Sequence, residues 1–144
     1  MYKEGTIRVL ALGLIRDSNN RTLLSEGYDP VKQDKFYRAL GGGVEFGETS
    51  FEALQREFQE EIQAELTNIR YLACLENIFT FQGKSGHEII QLYECDLVNP
   101  KFYQQEKITF NEGERQKTAL WIDIESVKSG NLRLVPEQFL EFLG

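Results

Sequence analysis

Residues 41–64, with the sequence GGGVEFGETSFEALQREFQEEIQA, predict a glycine-rich loop that leads into an amphipathic helix. The glycines at 41–43 and 47 allow positive φ and let a ligand approach the backbone closely. Thr49 is placed to cap the helix, and Glu52 completes a capping box three residues later. The apolar residues that follow recur at helical spacing and predict one buried face, formed by Phe51, Leu54, Phe58 and Ile62.

Three carboxylates lie together on the same helix, away from its apolar face. Glu57, Glu60 and Glu61 stand at i, i+3 and i+4, so they project to one side and repel one another by roughly a few tenths of a kcal/mol per pair. A divalent cation would offset this repulsion, because Mg²⁺ and Mn²⁺ prefer hard oxygen ligands. The alternative is an ordinary solvated acidic face, which is common on charged helices.

The full spacing of this stretch resembles the signature of the Nudix hydrolases. Gly42 is followed after five residues by Glu48, and after seven more by the run REFQEE at 56–61. The family signature closes with a glycine and an apolar residue. Ala64 matches the apolar residue, whereas Gln63 stands where the family has glycine.

The resemblance implies a role for each matching residue. Glu57, Glu60 and Glu61 would bind a catalytic Mg²⁺ or Mn²⁺, with the carbonyl of Gly42 as a further ligand. Arg56 would orient these glutamates, and Glu48 would pair with Arg56 or join the outer shell of the metal. The simpler alternatives are a surface ion pair for Arg56 and a favourable charge near a helix N-terminus for Glu48.

Gln63 bears on the end of the helix, not on the ligands. A glycine at this position permits a left-handed cap, whereas glutamine resists positive φ at a cost of roughly 1–2 kcal/mol. We therefore expect the helix to continue slightly, or to end by another turn near Asn68.

Composition limits the classes of protein to consider. The chain has 144 residues, enough for one domain over residues 1–144, and a net charge of −7. This charge argues against a nucleic-acid surface but not against a nucleotide substrate, because a metal supplies positive charge locally. The sequence has no long apolar run and no secretory signal at its start, so we expect a cytoplasmic protein with no membrane span.

The remaining sequence predicts a mixture of strands and helices. Alone, this pattern indicates a single-domain α+β or α/β fold, and the resemblance implies a Nudix-type α/β/α sandwich with a mixed β-sheet. The predicted elements are a hairpin of strands 6–16 and 21–25, a loop at 27–35, a strand at 36–40, strands 69–81 and 88–98 joined by a glycine turn, a loop over 99–115 with a short strand at 107–110, a strand at 118–123, a helical turn at 124–129 and a final helix at 137–143.

Two cysteines are too few for a disulfide scaffold or a zinc site. A hairpin centred on residues 83–86 would place Cys74 opposite Cys95. We expect both to be reduced thiols, as in a cytosolic protein.

Further candidates for substrate binding lie outside the helix. They are Arg8 on the first strand, Tyr37 and Arg38 before the glycine loop, the single histidine His87, and the loop glutamates Glu112 and Glu114. The resemblance implies that residues of the first strand line the substrate cleft and that a loop glutamate serves as metal ligand or base, with Glu114 slightly favoured. Packing, solvation and an exposed acidic loop are the respective alternatives.

The resemblance implies hydrolysis of a nucleoside diphosphate linked to another group. Water activated by the metal or by a glutamate would attack phosphorus and break the pyrophosphate bond. Two alternatives remain open, a non-catalytic Nudix-fold module that senses a nucleotide and a protein that uses a divalent ion only for structure. The partner is expected to be a small nucleotide or another pyrophosphate compound, and a homodimer is possible.

Overall fold

A computed structural model describes residues 5–144. The chain forms seven strands and two α-helices, which are β1 (Ile7–Leu14), β2 (Arg21–Asp29), β3 (Asp34–Gly43), α1 (Ser50–Ile62), β4 (Leu66–Phe81), β5 (Lys84–Leu97), β6 (Lys107–Glu112), β7 (Arg115–Asp123) and α2 (Ile124–Lys128), with 3-10 helices at Pro100–Gln104 and Glu137–Phe142. The sheet order is β4-β5-β1-β3-β2-β7-β6. Only β1 and β5 pair in parallel, so the sheet is mixed.

Helices cover the sheet on both faces. On one face α1 buries Leu54, Phe58 and Ile62 against the sheet. On the other face α2 and the C-terminal 3-10 helix bury Val127 and Phe139. The mixed α/β sandwich predicted from the sequence is therefore confirmed. Phe51 does not belong to the buried face, since its side chain lies 47% exposed at the first turn of α1.

Helix α1 begins and ends with defined caps. Thr49 and Glu52 form the predicted capping box. The helix ends at Ile62, because Gln63 adopts φ 52° and ψ 43° in the left-handed region. The prediction that the helix continues toward Asn68 was wrong. The amide of Gln63 bonds the carbonyl of Gln59, and the amide of Ala64 bonds that of Phe58, so these cap hydrogen bonds hold a conformation that glutamine alone disfavours.

The pairing of the first strands differs from the prediction. Strand β1 itself lies between β5 and β3. Contact with β2 comes just after β1, where Arg16 bridges Thr22 and the Leu23 amide donates to the Ile15 carbonyl. The predicted loop at 27–35 is also wrong, because β2 continues to Asp29 and β3 starts at Asp34. The Asp29 carboxylate accepts hydrogen bonds from the amides of Val31 and Lys32. These bonds stabilise a tight turn, so a short segment is enough to connect β2 to β3.

The segment before the last long strand is more regular than predicted. Strands β6 and β7 form a hairpin that turns at Gly113, where the sequence predicted a loop with one short strand. This hairpin carries Glu112 at the end of β6. The final helix lies at the predicted place but is a 3-10 helix.

The two cysteines do not face each other. Cys74 is opposite Gln91 in the β4–β5 ladder, and Cys95 is buried further along β5. The prediction that Cys74 lies opposite Cys95 was therefore wrong, because the two strands pair in a different register. Within residues 5–144, no helix combines the length and apolar content needed to cross a membrane.

Candidate active site

Gly42 and Glu57 bring the glycine strand into contact with α1. A Cβ atom on Gly42 would lie 2.4 Å from the carboxylate carbon of Glu57, so only glycine fits beside this side chain. Gly41 adopts φ +138°, and a Cβ there would meet the Ala11 carbonyl oxygen at 2.1 Å. The end of β3 is therefore bare backbone placed directly against an acidic side chain.

Arg56 ties this acidic cluster together. Its Nε and Nη2 donate to the two carboxylate oxygens of Glu48, at 3.0 and 2.6 Å. Its Nη1 donates to Glu57 at 3.0 Å and to Glu60 at 3.1 Å, and Nη2 also donates to the Gly43 carbonyl at 2.9 Å. The guanidinium thereby fixes the position of three carboxylates and of the glycine strand together.

The charge of Glu48 is stabilised by Arg56. The hydrogen bonds from Arg56 lower the pKa of Glu48 to about 2, and the Glu45 amide adds to this effect. Glu48 thus remains ionised and holds the guanidinium in place. It accepts hydrogen bonds also from the backbone amide of Glu45, which closes the loop.

Glu61 lies at the base of the cluster in a different environment. Its side chain is buried, and its Oε1 has no hydrogen-bond partner among residues 5–144. Burial raises the pKa of Glu61 to about 9, and the charges of Glu57 and Glu112 add to the rise. Glu112 contacts Glu61 from β6 and forms an ion pair with Lys117 at 3.2 Å, which lowers the pKa of Glu112 against the effect of its burial. Of these two carboxyl groups, Glu61 is therefore the one that favours its protonated form.

Gly42, Glu61 and Glu112 line one cleft of about 760 Å³, and Glu57 adjoins this cleft where it contacts Gly42. Its lining includes Gly42, Glu61 and Glu112 at one end and strands β4 and β5 at the other. Arg8 lines it beside the glycine strand, with Nη2 3.0 Å from where a Gly43 Cβ would stand. Within residues 5–144, the Arg8 guanidinium makes no hydrogen bond or ion pair.

Comparison with known proteins identifies this arrangement. The sequence model of the NUDIX domain matches residues 6–143. The chain belongs to the Nudix family. It is therefore a Nudix pyrophosphohydrolase. Among curated proteins, none matches the sequence significantly.

Solved structures of Nudix proteins share the fold. A Nudix hydrolase from Nitrosomonas europaea is 15% identical with a TM-score of 0.61, over 96% of this chain and 86% of that one. A UDP-X diphosphatase is 19% identical with a TM-score of 0.62, over 99% and 63%. The E. coli ORF135 protein is 20% identical with a TM-score of 0.57, over 96% and 86%. At these identities the likeness concerns the fold.

Nudix hydrolases generally use divalent metal ions, and two observations show that this chain suits one. Glu61 presents an unpartnered buried oxygen, and Glu57 lies against the backbone of Gly42, where a Cβ would fill the space. Both provide the hard oxygen donors that Mg²⁺ and Mn²⁺ prefer. In the conformation of residues 5–144, however, no three acidic, histidine or cysteine side chains are already gathered as a cage. Arg56 engages Glu57 and Glu60 instead.

The Nudix cleft includes some of the predicted substrate-binding residues and leaves others outside. Arg8, Arg38 and Glu112 line it. Tyr37 does not, because its ring is in the core and its hydroxyl donates to Glu26. His87 and Glu114 also lie outside its lining, and Glu114 is exposed on the β6–β7 hairpin.

The polar residues of the cleft that were missed from the sequence include Asn77, Glu88 and Lys117. Glu88 had a detectable signal. It shares its strand face with Ile90 and Leu92, both buried, so the alternation of β5 placed a carboxylate at an inward position. A charge at such a position is a sign of a polar site.

Proposed function

We propose that the protein is a Mg²⁺- or Mn²⁺-dependent hydrolase that cleaves the pyrophosphate bond of a nucleoside diphosphate linked to another group. The observation that supports this best is that Gly42 and the unpartnered Glu61 oxygen line one cleft, with Glu57 directly against Gly42. A structural ion would not need open backbone beside its ligands, and a solvated acidic helix face would not bury Glu61.

The residues that would hold the metal are Glu57, Glu60, Glu61 and the Gly42 carbonyl, with Glu112 adjacent. When bound, the ion supplies positive charge that neutralises the pyrophosphate and the charge that builds up as its bond breaks. Arg56 holds Glu57 and the Gly43 carbonyl in fixed positions. Arg8, which lines the cleft unpaired within residues 5–144, is a cation that is available to bind a phosphate oxygen.

The proton that leaves the attacking water needs an acceptor. Glu60 is exposed and bonded to Arg56, whereas Glu61 and Glu112 are in contact and both line the cleft. A carboxyl pair of this kind accepts and returns a proton readily. We therefore assign proton transfer to the Glu61–Glu112 pair in preference to Glu60 or Glu114.

The test is hydrolysis of a panel of nucleoside triphosphates, nucleotide sugars and dinucleoside polyphosphates, with and without Mg²⁺ or Mn²⁺. We expect metal-dependent release of monophosphate products, detected with a coupled phosphatase. Glu57→Gln and Glu61→Gln should each lower kcat by about 10²–10⁴-fold without loss of the fold. Glu112→Gln should also lower kcat, whereas Glu114→Gln should not.

Glu65→Gln is the matched control. Glu65 is an exposed glutamate three residues beyond α1, so the variant makes the same chemical change outside the cleft and should retain full activity. Wild-type rates in clean Glu57→Gln or Glu61→Gln protein would overturn the assignment. Tight binding of nucleotide and Mg²⁺ with no turnover on any substrate would instead favour a nucleotide sensor.

A further inference from the structure

The far end of the cleft contains a buried polar network that the reaction site does not use. Arg38 Nη2 donates to Glu88 Oε1 at 3.0 Å, and Nη1 approaches Oε2 at 3.4 Å. Asn77 Nδ2 donates to the same Oε1 at 3.3 Å. The Glu88 side chain is 3% exposed and that of Arg38 is 24% exposed. The network is therefore closed around Glu88 and open to the cleft at Arg38.

This network is not explained by stability. A buried ion pair loses much of its Coulomb energy to desolvation, and apolar residues of similar volume are often at least as stabilising. The network is also incomplete, because Arg38 Nε is buried with no hydrogen-bond partner among residues 5–144. A polar group of this kind in a cleft indicates a site for a ligand.

Aromatic rings flank the network. Phe36 is two residues before Arg38 on β3, and Phe81 is four residues after Asn77 on β4, so each ring shares a strand face with a member of the network. The Phe36 and Phe81 rings meet edge to face with centroids 5.7 Å apart. All four residues line the cleft. Flat apolar surface thus adjoins hydrogen-bonding groups, as a planar heteroaromatic ligand requires.

Arg8 and Arg38, two of the four arginines that line the cleft, differ in effective charge. Glu88 neutralises Arg38, whereas Arg8 makes no ion pair within residues 5–144. A phosphate would gain more from Arg8, beside the glycine strand, than from Arg38. The paired guanidinium still offers directional N–H donors, which suit an uncharged acceptor on a base edge.

We infer that the Arg38–Glu88–Asn77 network recognises the hydrogen-bonding edge of the substrate's nucleobase, with the base against Phe36 and Phe81. The inference rests on the proposed function only in taking the substrate to be a nucleotide. It places the base at the network and the two phenylalanines, and the phosphates at the glycine strand and Arg8, which is the register partner of Glu88 on β1. Specificity among substrates would then be determined by residues outside the 41–64 stretch.

The test measures binding without hydrolysis. AMP, GMP, CMP and UMP are titrated into the protein in EDTA and compared with ribose 5-phosphate, which has the sugar and phosphate but no base. We expect at least one nucleotide to bind about tenfold or more tightly than ribose 5-phosphate. The double variant Arg38→Gln/Glu88→Gln, which leaves no unpaired charge, should reduce that preference to within about threefold and leave ribose 5-phosphate binding unchanged.

The control pair is Arg70→Gln/Glu94→Gln. It removes a different arginine–glutamate bridge, which joins β4 to β5 with Arg70 Nε 2.9 Å from Glu94 Oε1. This bridge is more exposed than the Arg38–Glu88 pair and lies outside the cleft lining. This control should keep the preference for the nucleotide. Phe36→Leu provides a second variant if the double variant does not fold, and it should weaken nucleotide binding several-fold through loss of the ring alone.

Two results would overturn the inference. One is equal binding of ribose 5-phosphate and all four nucleotides, and the other is a preference that survives in both cleft variants. Neither depends on turnover. If the protein hydrolyses nucleotides without base preference, the proposed function stands and this inference fails. If the protein binds with the preference but hydrolyses no nucleotide, the inference stands and the proposed function fails.

Discussion

Glu61 shows how one residue can link folding stability to the metal site. In the folded protein its carboxyl keeps a proton up to a pKa of about 9, because burial and the nearby carboxylates disfavour its charge. In the unfolded chain the same group loses its proton near the ordinary pKa of 4.5. Between these values the folded state binds more protons, so the contribution of Glu61 to stability decreases as pH rises.

Glu61→Gln should therefore remove a pH dependence from the metal-free protein. We expect the variant to gain stability over the wild type by about 1–2 kcal/mol between pH 6 and pH 8, since each pH unit in this range contributes up to about 1.4 kcal/mol. Urea unfolding in EDTA at both pH values measures the difference. Parallel stability curves for the two proteins would show that Glu61 ionises freely in the folded state.

At the scale of the element, helix α1 ends on a residue that its sequence disfavours. Gln63 occupies the left-handed region at a cost of about 1 kcal/mol, and glycine at this position would avoid that cost. Glycine also increases the entropy of the unfolded chain, which offsets part of the gain. We expect Gln63→Gly to stabilise the protein by about 0.5 kcal/mol, measured by thermal unfolding.

Asn68→Gly is the control for this prediction. Asn68 adopts φ 51° two residues before the chain regains strand pairing at Arg70–Glu94, and it donates to Asp96 through its side chain. Asparagine tolerates the left-handed region better than glutamine, so glycine should bring no gain there. A stabilisation at Asn68 equal to that at Gln63 would mean that cap strain is not the cause.

The elements also show why some features followed from sequence and others did not. Capping at Thr49 and the buried positions Leu54 and Phe58 depend on local spacing, so the sequence predicted them correctly. The end of α1 depends on hydrogen bonds from Gln63 and Ala64 to earlier carbonyls, which outweigh the local preference of glutamine. The neighbours of β1 depend on long-range pairing with β5. The short turn after β1 suggested instead that β1 pairs with β2, and this prediction was wrong.

At the scale of the whole molecule, the site divides in the same way. The acidic cluster lies on one loop and one helix, so spacing along the chain predicted it as a unit. Arg38 and Glu88 are 50 residues apart in sequence and meet only because β3 and β5 line the same cleft. Glu112 likewise reaches Glu61 from the β6–β7 hairpin. These partners required the three-dimensional arrangement.

The outer end of the cleft is held by contacts between two turns. The Lys32 amine in the β2–β3 turn donates to the Thr80 carbonyl at 2.7 Å, and the Gln82 amide in the β4–β5 turn donates to the Asp29 carboxylate at 3.2 Å. Asp29 therefore shapes its own turn and joins it to the opposite one. These contacts keep β3 and β4 at the separation that the cleft requires.

Asp29→Ala should loosen this junction. We expect faster amide hydrogen exchange at residues 30–36 and 80–86, because Val31, Lys32 and Gln82 lose their acceptor. For any substrate found in the panel, KM should rise several-fold with little change in kcat, since the acidic cluster on α1 lies at the other end of the cleft. Asp17→Ala is the matched control, because Asp17 caps the β1–β2 turn through the amides of Asn19 and Arg21. If both variants change exchange at 80–86 alike, the effect is one of general stability and the junction does not hold the cleft.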